Sequence, residues 1–388
     1  MGVASNRPCC GVCGLKLVKS GVTSAGRTRW RCRSCGASTT RQREDVTRRA
    51  DLAAFLAWLL GSAPQGATPT LGRAFRRRTA WCWNVEVPRP PVTGEIHDVV
   101  VLDGTYFQHW GLLIATNGKD VIDWQWCDRE KAIAWLQILQ RHPAPALVVI
   151  DGGTGLKKAI DQAWPDTRVQ RCYFHIYQAL RRHLTLSPRL PAGKELLALT
   201  RALMRVEDLD QAAAWLGEYV AWEARWDGFL RHRSYASKHY ERPAGVRPDR
   251  PWWYTHRRLR SARSLLRHLI RSRTLFTWLD PELPQRKPPW PRTTSSLEGG
   301  PNRALKELFS RHRGLPDEHA RRAAEWKLNS LSIAPYNPWD LARPEHWNPA
   351  PPRPATTPEA DPKPQLGTHF SPEDGNSIRH GWAGRHQP

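Results

Sequence analysis

Two short apolar segments that each run into an Asp-Gly pair place the strongest limit on the fold of this chain. The first is Val99-Val-Val-Leu-Asp103-Gly and the second is Ala146-Leu-Val-Val-Ile-Asp151-Gly. Each run is too short for a helix and rich in β-branched residues, which predicts a strand buried on both faces of a sheet. The two carboxylates should then emerge at the C-terminal edge of neighbouring strands, where they could share divalent metal.

The region around these strands alternates strands with helices. Gly111 to Thr116 and Val121 to Trp126 flank an Asn117-Gly118 pair, which predicts a hairpin. Helical patterns follow over residues 132–140, 156–164 and from 174 onward, with a further strand over 168–172. This order predicts an α/β domain with a mixed sheet.

The charge of the chain points to a polyanionic partner. Among 388 residues there are 59 Lys and Arg against 36 Asp and Glu, a net charge of +23. Arginine, the main cation here, binds phosphate in a bidentate way, which favours nucleic acid. No apolar stretch approaches the roughly 20 residues that span a bilayer, and residues 1–8 have no signal-peptide core. We therefore expect a cytoplasmic, nucleoid-associated protein with no membrane partner.

Four of the eight cysteines form two Cys-x-x-Cys knuckles, each followed by glycine. They are Cys10, Cys13, Cys32 and Cys35. This spacing is typical of one Zn²⁺ held by four thiolates, and a redox pair would not explain two knuckles. Cys9 could replace Cys10 as a ligand. Cys82 and Cys127 are interpreted as ordinary buried thiols.

Two segments after the knuckles predict short helices, Asp51 to Leu60 and Thr70 to Trp81. A helix-turn-helix and a plain helical connector both fit this pattern. The second helix carries four arginines that we predict to bind DNA, namely Arg73, Arg76, Arg77 and Arg78. The stretch Val87-Pro-Arg-Pro-Pro91 predicts a stiff linker to the next domain.

Residues 177–290 show helical periodicity and no convincing strand, which predicts a helical insertion. Its clearest helix is Arg257 to Phe276, where one side is apolar and another carries arginines without an interrupting acid. We predict that this basic face contacts the DNA backbone, although a solvated charged surface is the alternative. The arginines are Arg260, Arg263, Arg267 and Arg271.

A third acid in a distinctive setting is Glu298, within Thr293-Thr-Ser-Ser-Leu-Glu298-Gly-Gly. It should stand in the first turn of a helix or just before it, with Ser295 or Ser296 as the cap and Asn302 one turn later. Taken alone, such a glutamate is more often part of a capping box than a catalyst. The other acids near the hairpin, Asp123, Asp128 and Glu130, are interpreted as solvated or as a helix start.

Four motifs together resemble the bacterial Mutator-type DDE transposases of insertion sequences. They are Asp103-Gly-Thr-Tyr-Phe, Asp151-Gly-Gly, Gln170-Arg-Cys-Tyr-Phe-His175 and the segment that holds Glu298. The cysteine knuckles resemble the subgroup that carries a zinc ribbon, and the resemblance spans roughly residues 9 to 335. One departure is Ser295, since an asparagine often follows the paired threonines in this family.

The resemblance implies an RNase H-like catalytic domain interrupted by an all-helical insertion. Asp103, Asp151 and Glu298 would bind two Mg²⁺ or Mn²⁺ ions, and Cys172 with His175 would match a Cys/His pair of the superfamily, with a structural role or one near DNA. The partners would be double-stranded DNA of the transposon ends and target. Two ends are cut in one complex, so a homo-oligomer, at least a dimer, is expected.

The expected organisation has six parts. They are a zinc ribbon (1–45), a helical DNA-binding region and linker (46–92), the first part of the catalytic core (93–176), the helical insertion (177–290), the C-terminal core helices with the third acid (291–335) and a Pro-rich, disordered tail (336–388). Two other functions remain open: an RNase H-like nuclease or resolvase that does not join strands, and a non-catalytic zinc-ribbon DNA-binding regulator derived from a transposase.

Overall fold

The computed structural model of the chain describes residues 7–10, 12–40, 44–61, 72–107, 110–236 and 242–348. Residues 349–388 of the predicted disordered tail lie outside these ranges, whereas residues 336–348 are described and include two short helices. The chain divides into two compact units. The first comprises the residues up to Pro88, residues 307–327 and the segment from Pro335, and the second comprises residues 89–306 and 328–334. Residues 307–327, which were expected in the catalytic core, thus lie in the first unit.

The first unit begins with a small antiparallel sheet in the order β1-β2-β3. Its strands are Val18–Val22, Thr28–Arg31 and Ser38–Thr39. A sheet this small cannot bury a core of its own, and its buried apolar residues are Leu17 with the two cysteines Cys10 and Cys32. This is the setting in which a bound metal takes the place of a hydrophobic core.

The rest of the first unit is helical. The helices are α1 (Glu44–Leu60), α2 (Arg73–Thr79) with a 3-10 turn (Ala80–Asn84), α11 (Asp317–Ser330), α12 (Pro338–Leu341) and α13 (Pro344–Trp347). Leu52, Phe55 and Leu59 follow a helical period and form the buried side of α1. Residues 62–71, between α1 and α2, lie outside the described residues, so the helix-turn-helix stays a prediction.

The second unit is built on a five-stranded sheet in the order β6-β5-β4-β7-β8. The strands are β4 (Val99–Phe107), β5 (Trp110–Thr116), β6 (Val121–Cys127), β7 (Leu147–Ile150) and β8 (Arg168–Arg171). The pairs β4-β5 and β5-β6 are antiparallel, while β4-β7 and β7-β8 are parallel. The predicted mixed sheet and hairpin are confirmed.

Helices α3 (Ala132–Leu139) and α4 (Thr154–Ala163) cover one face of this sheet. Val100 and Leu102 of β4 point into that core with Trp135 of α3 and Leu156 of α4. Side chains of a strand alternate between faces, so Asp103 lies on the other side from Leu102. The core therefore fixes which way the first carboxylate points.

The insertion contains the helices α5 (Tyr173–Leu184), α6 (Pro191–Leu203), α7 (Leu209–Leu230) and α8 (Arg257–Arg271), of which α5 begins before it. It also contains two short antiparallel strands, β9 (Arg233–Tyr235) and β10 (Trp252–Tyr254). The expectation of an all-helical insertion is therefore wrong at this point. The reason is local packing: the guanidinium of Arg233 lies over the ring of Trp252 on the neighbouring strand, 4.1 Å from its centroid.

The chain returns to the sheet through a helical segment interrupted by a wide turn. It consists of α9 (Ser295–Leu297), a π-helical turn (Glu298–Asn302) and α10 (Arg303–Arg311). Pro301 lacks an N–H and cannot support regular α-helical bonding at this point. Such wide turns are frequent at functional sites because they redirect side chains.

Candidate active site

Asp103 is a buried residue on the central strand, 8% exposed. Leu102 pairs with Ile150 in parallel register, so Asp103 and Asp151 come at equivalent places on neighbouring strands. The N–H of Gly104 donates to Asp103 Oδ1 at 3.0 Å, and Asn302 Nδ2 donates to Asp103 Oδ2 at 3.0 Å. Strand β4 continues to Phe107 beyond Asp103, so this acid does not end its strand as predicted. It lies instead where β4 passes the end of β7.

Asp151 follows the last residue of β7 in a tight turn. The N–H of Gly153 donates to Asp151 Oδ1 at 2.9 Å, and Arg171 of β8 donates to the Asp151 carbonyl oxygen at 3.0 Å. Gly152 has a φ of +107°, and a Cβ placed on it would lie 1.7 Å from the guanidinium of Arg171. Only glycine therefore allows this arginine to hold the backbone of the second acid.

Glu298 opens the π-helical turn, and its side chain is about one-third exposed. The buried Thr294 donates through Oγ1 to Glu298 Oε1 at 2.8 Å. Thr294, rather than Ser295 or Ser296, occupies the cap position, so the predicted cap is wrong by one or two residues. Asn302 lies four residues after Glu298 and reaches Asp103, which joins the third acid's helix to the first acid's strand.

The electrostatics indicate that these side chains face one another. Burial, reinforced by the charges of Asp151 and Glu298, raises the pKa of Asp103 to about 7, although His175 opposes the shift. Among the described residues, Asp103 and Asp151 have no ion pair with a cation. The structure thus concentrates negative charge at this edge of the sheet, which is the arrangement that a divalent cation relieves.

The three acids do not form one tight ligand group. Among the described residues, only two sets of three or more ligand side chains have all their ligand atoms within 4.8 Å, and Asp103, Asp151 and Glu298 are not such a set. A site for two ions about 3.5–4 Å apart spreads its ligands more widely than a site for one. The donors are carboxylate and amide oxygens, which suit Mg²⁺ or Mn²⁺. The chemistry of these donors therefore suits a divalent cation.

Cys172 and His175 lie beside Glu298 at the start of α5. His175 Nδ1 is 3.9 Å from Glu298 Oε1, and Cys172 Sγ lies 3.3 Å from both the N and the Oγ1 of Thr294. Burial opposes ionisation of Cys172, but hydrogen bonds from His175 and Thr294 outweigh it and lower its pKa. Burial likewise disfavours the His175 cation, yet Cys172 and the nearby aspartates raise its pKa to about 9. These interactions favour the thiolate form of Cys172 and the charged form of His175, and the Cys172 sulfur contacts Thr294.

Backbone contacts fix the return of the chain to the sheet. The N–H of Arg171 donates to the carbonyl of Thr274, and the N–H of Tyr173 donates to the carbonyl of Arg292, each at 2.9 Å. With the Cys172 to Thr294 contact, they form a short tie between the end of β8 and the segment that leads to Glu298. We call these three contacts the β8 tie.

Glu130 is the acid at this site that sequence reasoning missed. It was interpreted as solvated or as a helix start, but burial together with Asp151 and Asp103 raises its pKa to about 8. The indole N–H of Trp135, a fully buried residue, donates to Glu130 Oε1 at 3.2 Å. The only local signal was its place directly before an apolar helix that had to cover the sheet.

Asp123 is also not solvated, and the interpretation of it as a surface acid is wrong. It is fully buried on β6 and accepts hydrogen bonds from Arg89 (2.6 Å), Arg141 (3.0 Å) and His142 (3.0 Å). These partners come from two other segments of the chain, so the pattern along β6 alone could not reveal them. Asp128 is exposed, as expected.

The four predicted zinc ligands come together in the first unit. Cys10 Sγ lies 3.5 Å from Cys35 Sγ, Cys13 Sγ lies 3.4 Å from Cys32 Sγ, and all four sulfurs are within 4.8 Å of one another. Tetrahedral Zn–S bonds of about 2.3 Å require sulfurs roughly 3.8 Å apart, so the group has the size of a zinc site. Cys9 is exposed and does not belong to this group.

Two of the arginines predicted on α8 are neutralised by acids of α7. Arg263, which is buried, pairs with Asp227 at 3.1 Å, and Arg267 pairs with Glu223 at 2.5 Å. The sequence of α8 contains no acid, but its partner helix supplies them. A buried, paired guanidinium such as that of Arg263 is poorly placed to meet a phosphate.

The other predicted arginines are more accessible or packed differently. The guanidinium of Arg260 lies 3.4 Å from the centroid of the Tyr254 ring, whereas Arg271 is exposed at the end of α8. On α2 all four predicted arginines are exposed to some degree, and Arg78 pairs with Asp51 at 2.7 Å. The exposed members are Arg73, Arg76, Arg77, Arg78 and Arg271. Within the described residues, no helix is both long and apolar enough to cross a membrane.

Comparison with known proteins gives a partial but consistent result. Residues 109–238 match the sequence model of the family described as "Transposase, Mutator family". The chain is similar to the transposase for insertion sequence element IS905 of Lactococcus lactis subsp. lactis (strain IL1403), with 28% identity over 148 residues, 34% of this chain and 37% of that protein. It is also similar to the transposase for insertion sequence element IS6120 of Mycolicibacterium smegmatis, with 33% identity over 89 residues, 22% of this chain and 26% of that protein.

These matches cover only part of the chain and part of each relative. The chain spans just over a third of the length of the first relative and about a quarter of the second. The matched family region contains Glu130, Asp151, Cys172 and His175, while Asp103 and Glu298 lie outside it. The geometry of the full site therefore rests on the structure.

Proposed function

We propose, from the membership of this chain in the Mutator family of insertion-sequence transposases, that it is a DDE transposase. It would cut the ends of its own element and join them to target DNA. Asp103, Asp151 and Glu298 would hold two Mg²⁺ or Mn²⁺ ions as its catalytic centre. The observation that carries the proposal is the position of Asp103 beside Asp151 in the parallel register of β4 and β7, with Asn302, four residues after Glu298, hydrogen-bonded to Asp103.

The strand order supports an RNase H-like catalytic domain. In chain order within the sheet the strands lie 3-2-1-4-5, with the second antiparallel to its neighbours and the last two parallel to the first. Asp103 lies on the first strand and Asp151 just after the fourth. The parallel pairing of β4 with β7 supports this assignment, because it sets Asp103 beside the turn that carries Asp151.

The two ions, when bound, would activate the attacking oxygen and stabilise the leaving oxygen at phosphorus. The chain's own residues would orient the ligands. Gly104 and Asn302 each donate a hydrogen bond to one oxygen of Asp103. The N–H of Gly153 orients the carboxylate of Asp151, and the hydroxyl of Thr294 orients that of Glu298. Because these donors are already in place, the carboxylates need little rearrangement to bind metal.

DNA binding is supported by the charge of +23 and by exposed arginines on α2 and at the end of α8. Each neutralised phosphate releases counterions, so affinity should fall steeply with salt. We place the first contact with the element ends on the zinc ribbon and the α1–α2 region, with one Zn²⁺ in the four-cysteine group. Cutting two ends in one complex would require at least a dimer.

The test uses duplexes carrying the DNA that flanks the gene. Wild-type protein with Mg²⁺ or Mn²⁺ should release 3′-hydroxyl ends and join pre-cut ends to a plasmid. Asp151→Asn should lose both reactions but retain duplex binding in a gel-shift assay, while the exposed Asp128→Asn serves as the matched control. Cleavage by Asp151→Asn would refute the assignment. Cleavage by wild type without joining of pre-cut ends would favour the nuclease or resolvase.

A further inference from the structure

The outward face of the two-stranded sheet β9-β10 carries aromatic rings and an arginine instead of small polar residues. In its antiparallel register Trp252 lies opposite Tyr235, and Tyr254 lies opposite Arg233. Directly opposed residues share a face, as do alternate residues of one strand, so these four side chains lie on the same side. Trp253, between the two aromatic residues of β10, is 5% exposed and marks the other face as the buried one. We call the four residues on the outward face the β9-β10 platform.

The planar side chains of the β9-β10 platform contact one another. The guanidinium of Arg233 lies 4.1 Å from the centroid of the Trp252 ring, and that centroid is 5.3 Å from the centroid of the Tyr254 ring. Arg260 of α8 lies 3.4 Å from the centroid of the same Tyr254 ring. Tyr235 is 64% exposed, and Arg233 is exposed as well. These contacts order the platform while its outer members stay accessible to a ligand.

The chemistry of this face suits unpaired nucleotides. Contiguous apolar surface that borders on polar groups marks an interaction site in a soluble protein. Bases stack on aromatic rings and on guanidinium planes, and the β9-β10 platform offers both. The contact of Arg233 with Trp252 also stabilises the strand pair, but that role does not require the ring of Tyr235 to lie in water. Bases within a closed duplex already stack on one another, whereas unpaired bases are free to stack on the protein.

A basic cavity of about 410 Å³ adjoins the β9-β10 platform, and Tyr254 belongs to both. Arg257 and Arg260 line this cavity and donate to backbone carbonyls at 3.0 and 2.9 Å. Neither forms a salt bridge within the described part of the chain, whereas Arg263 and Arg267, in the same lining, are paired with acids. The charges of Arg257 and Arg260 are therefore available to a phosphate group.

We propose that the β9-β10 platform binds unpaired nucleotides of DNA. Bases would stack on Tyr235 and Arg233, while Arg257 and Arg260 hold a backbone phosphate in the cavity. This proposal rests on the proposed function, because it takes DNA as the ligand. Stacking accepts any base, so the platform would hold the strand without reading its sequence.

The experiment measures the affinity of the full-length, zinc-loaded chain for a labelled oligothymidylate and for a labelled duplex of equal length, by fluorescence anisotropy. We expect Tyr235→Ala to weaken oligothymidylate binding about fivefold or more, the loss of one stacked base, and to leave duplex binding within twofold of wild type. The matched control Tyr235→Phe keeps the ring and should match wild type with both probes. Arg257→Gln should lower the slope of log affinity for oligothymidylate against log salt by about 0.7, the effect of one phosphate contact.

Two results would overturn the platform as a site for unpaired DNA. One is a Tyr235→Ala variant that binds oligothymidylate within twofold of wild type or that loses affinity equally for both probes. The other is tighter binding of wild type to oligouridylate than to oligothymidylate, which would assign the platform to RNA. If wild type neither cleaves nor joins DNA while Tyr235→Ala still weakens oligothymidylate binding selectively, the transposase proposal fails and the platform stands. Circular dichroism melts check that every variant is folded.

Discussion

Replacing Asp103 by asparagine should stabilise the chain in the absence of Mg²⁺ while abolishing DNA cleavage. Burial and neighbouring acids raise the pKa of Asp103 to about 7. An unperturbed aspartate titrates near 3.9, so ionising Asp103 at pH 8 costs the folded state up to about 4 kcal/mol. Asparagine removes this cost because it carries no charge.

The hydrogen bonds of the site can accommodate the amide. Gly104 can continue to donate to the retained oxygen. The side-chain amide of Asn302 can turn so that its oxygen, which lacks a partner, accepts from the new NH₂ group. Little hydrogen bonding is therefore lost, and the electrostatic gain should dominate.

The sign of the pH dependence follows from the raised pKa. The stability associated with a protonated Asp103 is fully present below the unfolded pKa near 4 and is lost as pH rises through about 7. The advantage of Asp103→Asn should thus be about 2–3 kcal/mol larger at pH 8 than at pH 5. Urea denaturation in magnesium-free buffer, with zinc retained and Asp128→Asn as control, measures it. An advantage that is absent at pH 8, or that does not change with pH, would refute the reasoning.

Three further outcomes are expected. Gly152→Ala should reduce cleavage at least tenfold, because its methyl group overlaps Arg171. The control Gly118→Ala has similar φ strain but lies in an open turn, so it should cleave normally. Equal losses of cleavage in the two variants would contradict the proposed overlap. Removing zinc with a chelator should expose the small core of the cysteine cluster and weaken duplex binding, measured by gel shift, whereas unchanged binding would exclude the ribbon from the DNA interface. Arg271→Gln should lower the slope of log affinity against log salt by about 0.9, while Arg263→Gln should leave that slope unchanged.

The catalytic sheet was predictable because its strands are buried on both faces. Continuous runs such as residues 99–102 and 147–150 have no helical period and no solvent face, so the sequence alone defines them. The mixed strand order followed from the hairpin around Asn117-Gly118 and the helices between later strands. The meeting of Asp103 and Asp151 was foreseeable from their equivalent positions after matched apolar runs.

Single charged residues were harder to predict because tertiary neighbours decide their burial. Glu130 stands at a helix start, and nothing local distinguishes it from a solvated acid; Trp135 and the two aspartates give it its environment. The ion pairs of α8 were hidden for the same reason, since the acid that pairs with Arg263 lies on a helix about 36 residues earlier in the chain. The hydrophobic periodicity of a helix contains no information about the residues of the helix that packs against it.

The β8 tie has an evolutionary consequence. A backbone hydrogen bond joins Tyr173 to Arg292, and Cys172 contacts Thr294. The residues between Tyr173 and Arg292 therefore form an insertion whose two ends are held together beside the sheet. The helices of such an insertion can become longer or shorter, or be replaced, without moving Glu298 relative to Asp103. Related elements could in this way acquire new DNA-handling surfaces while inheriting the same chemistry unchanged.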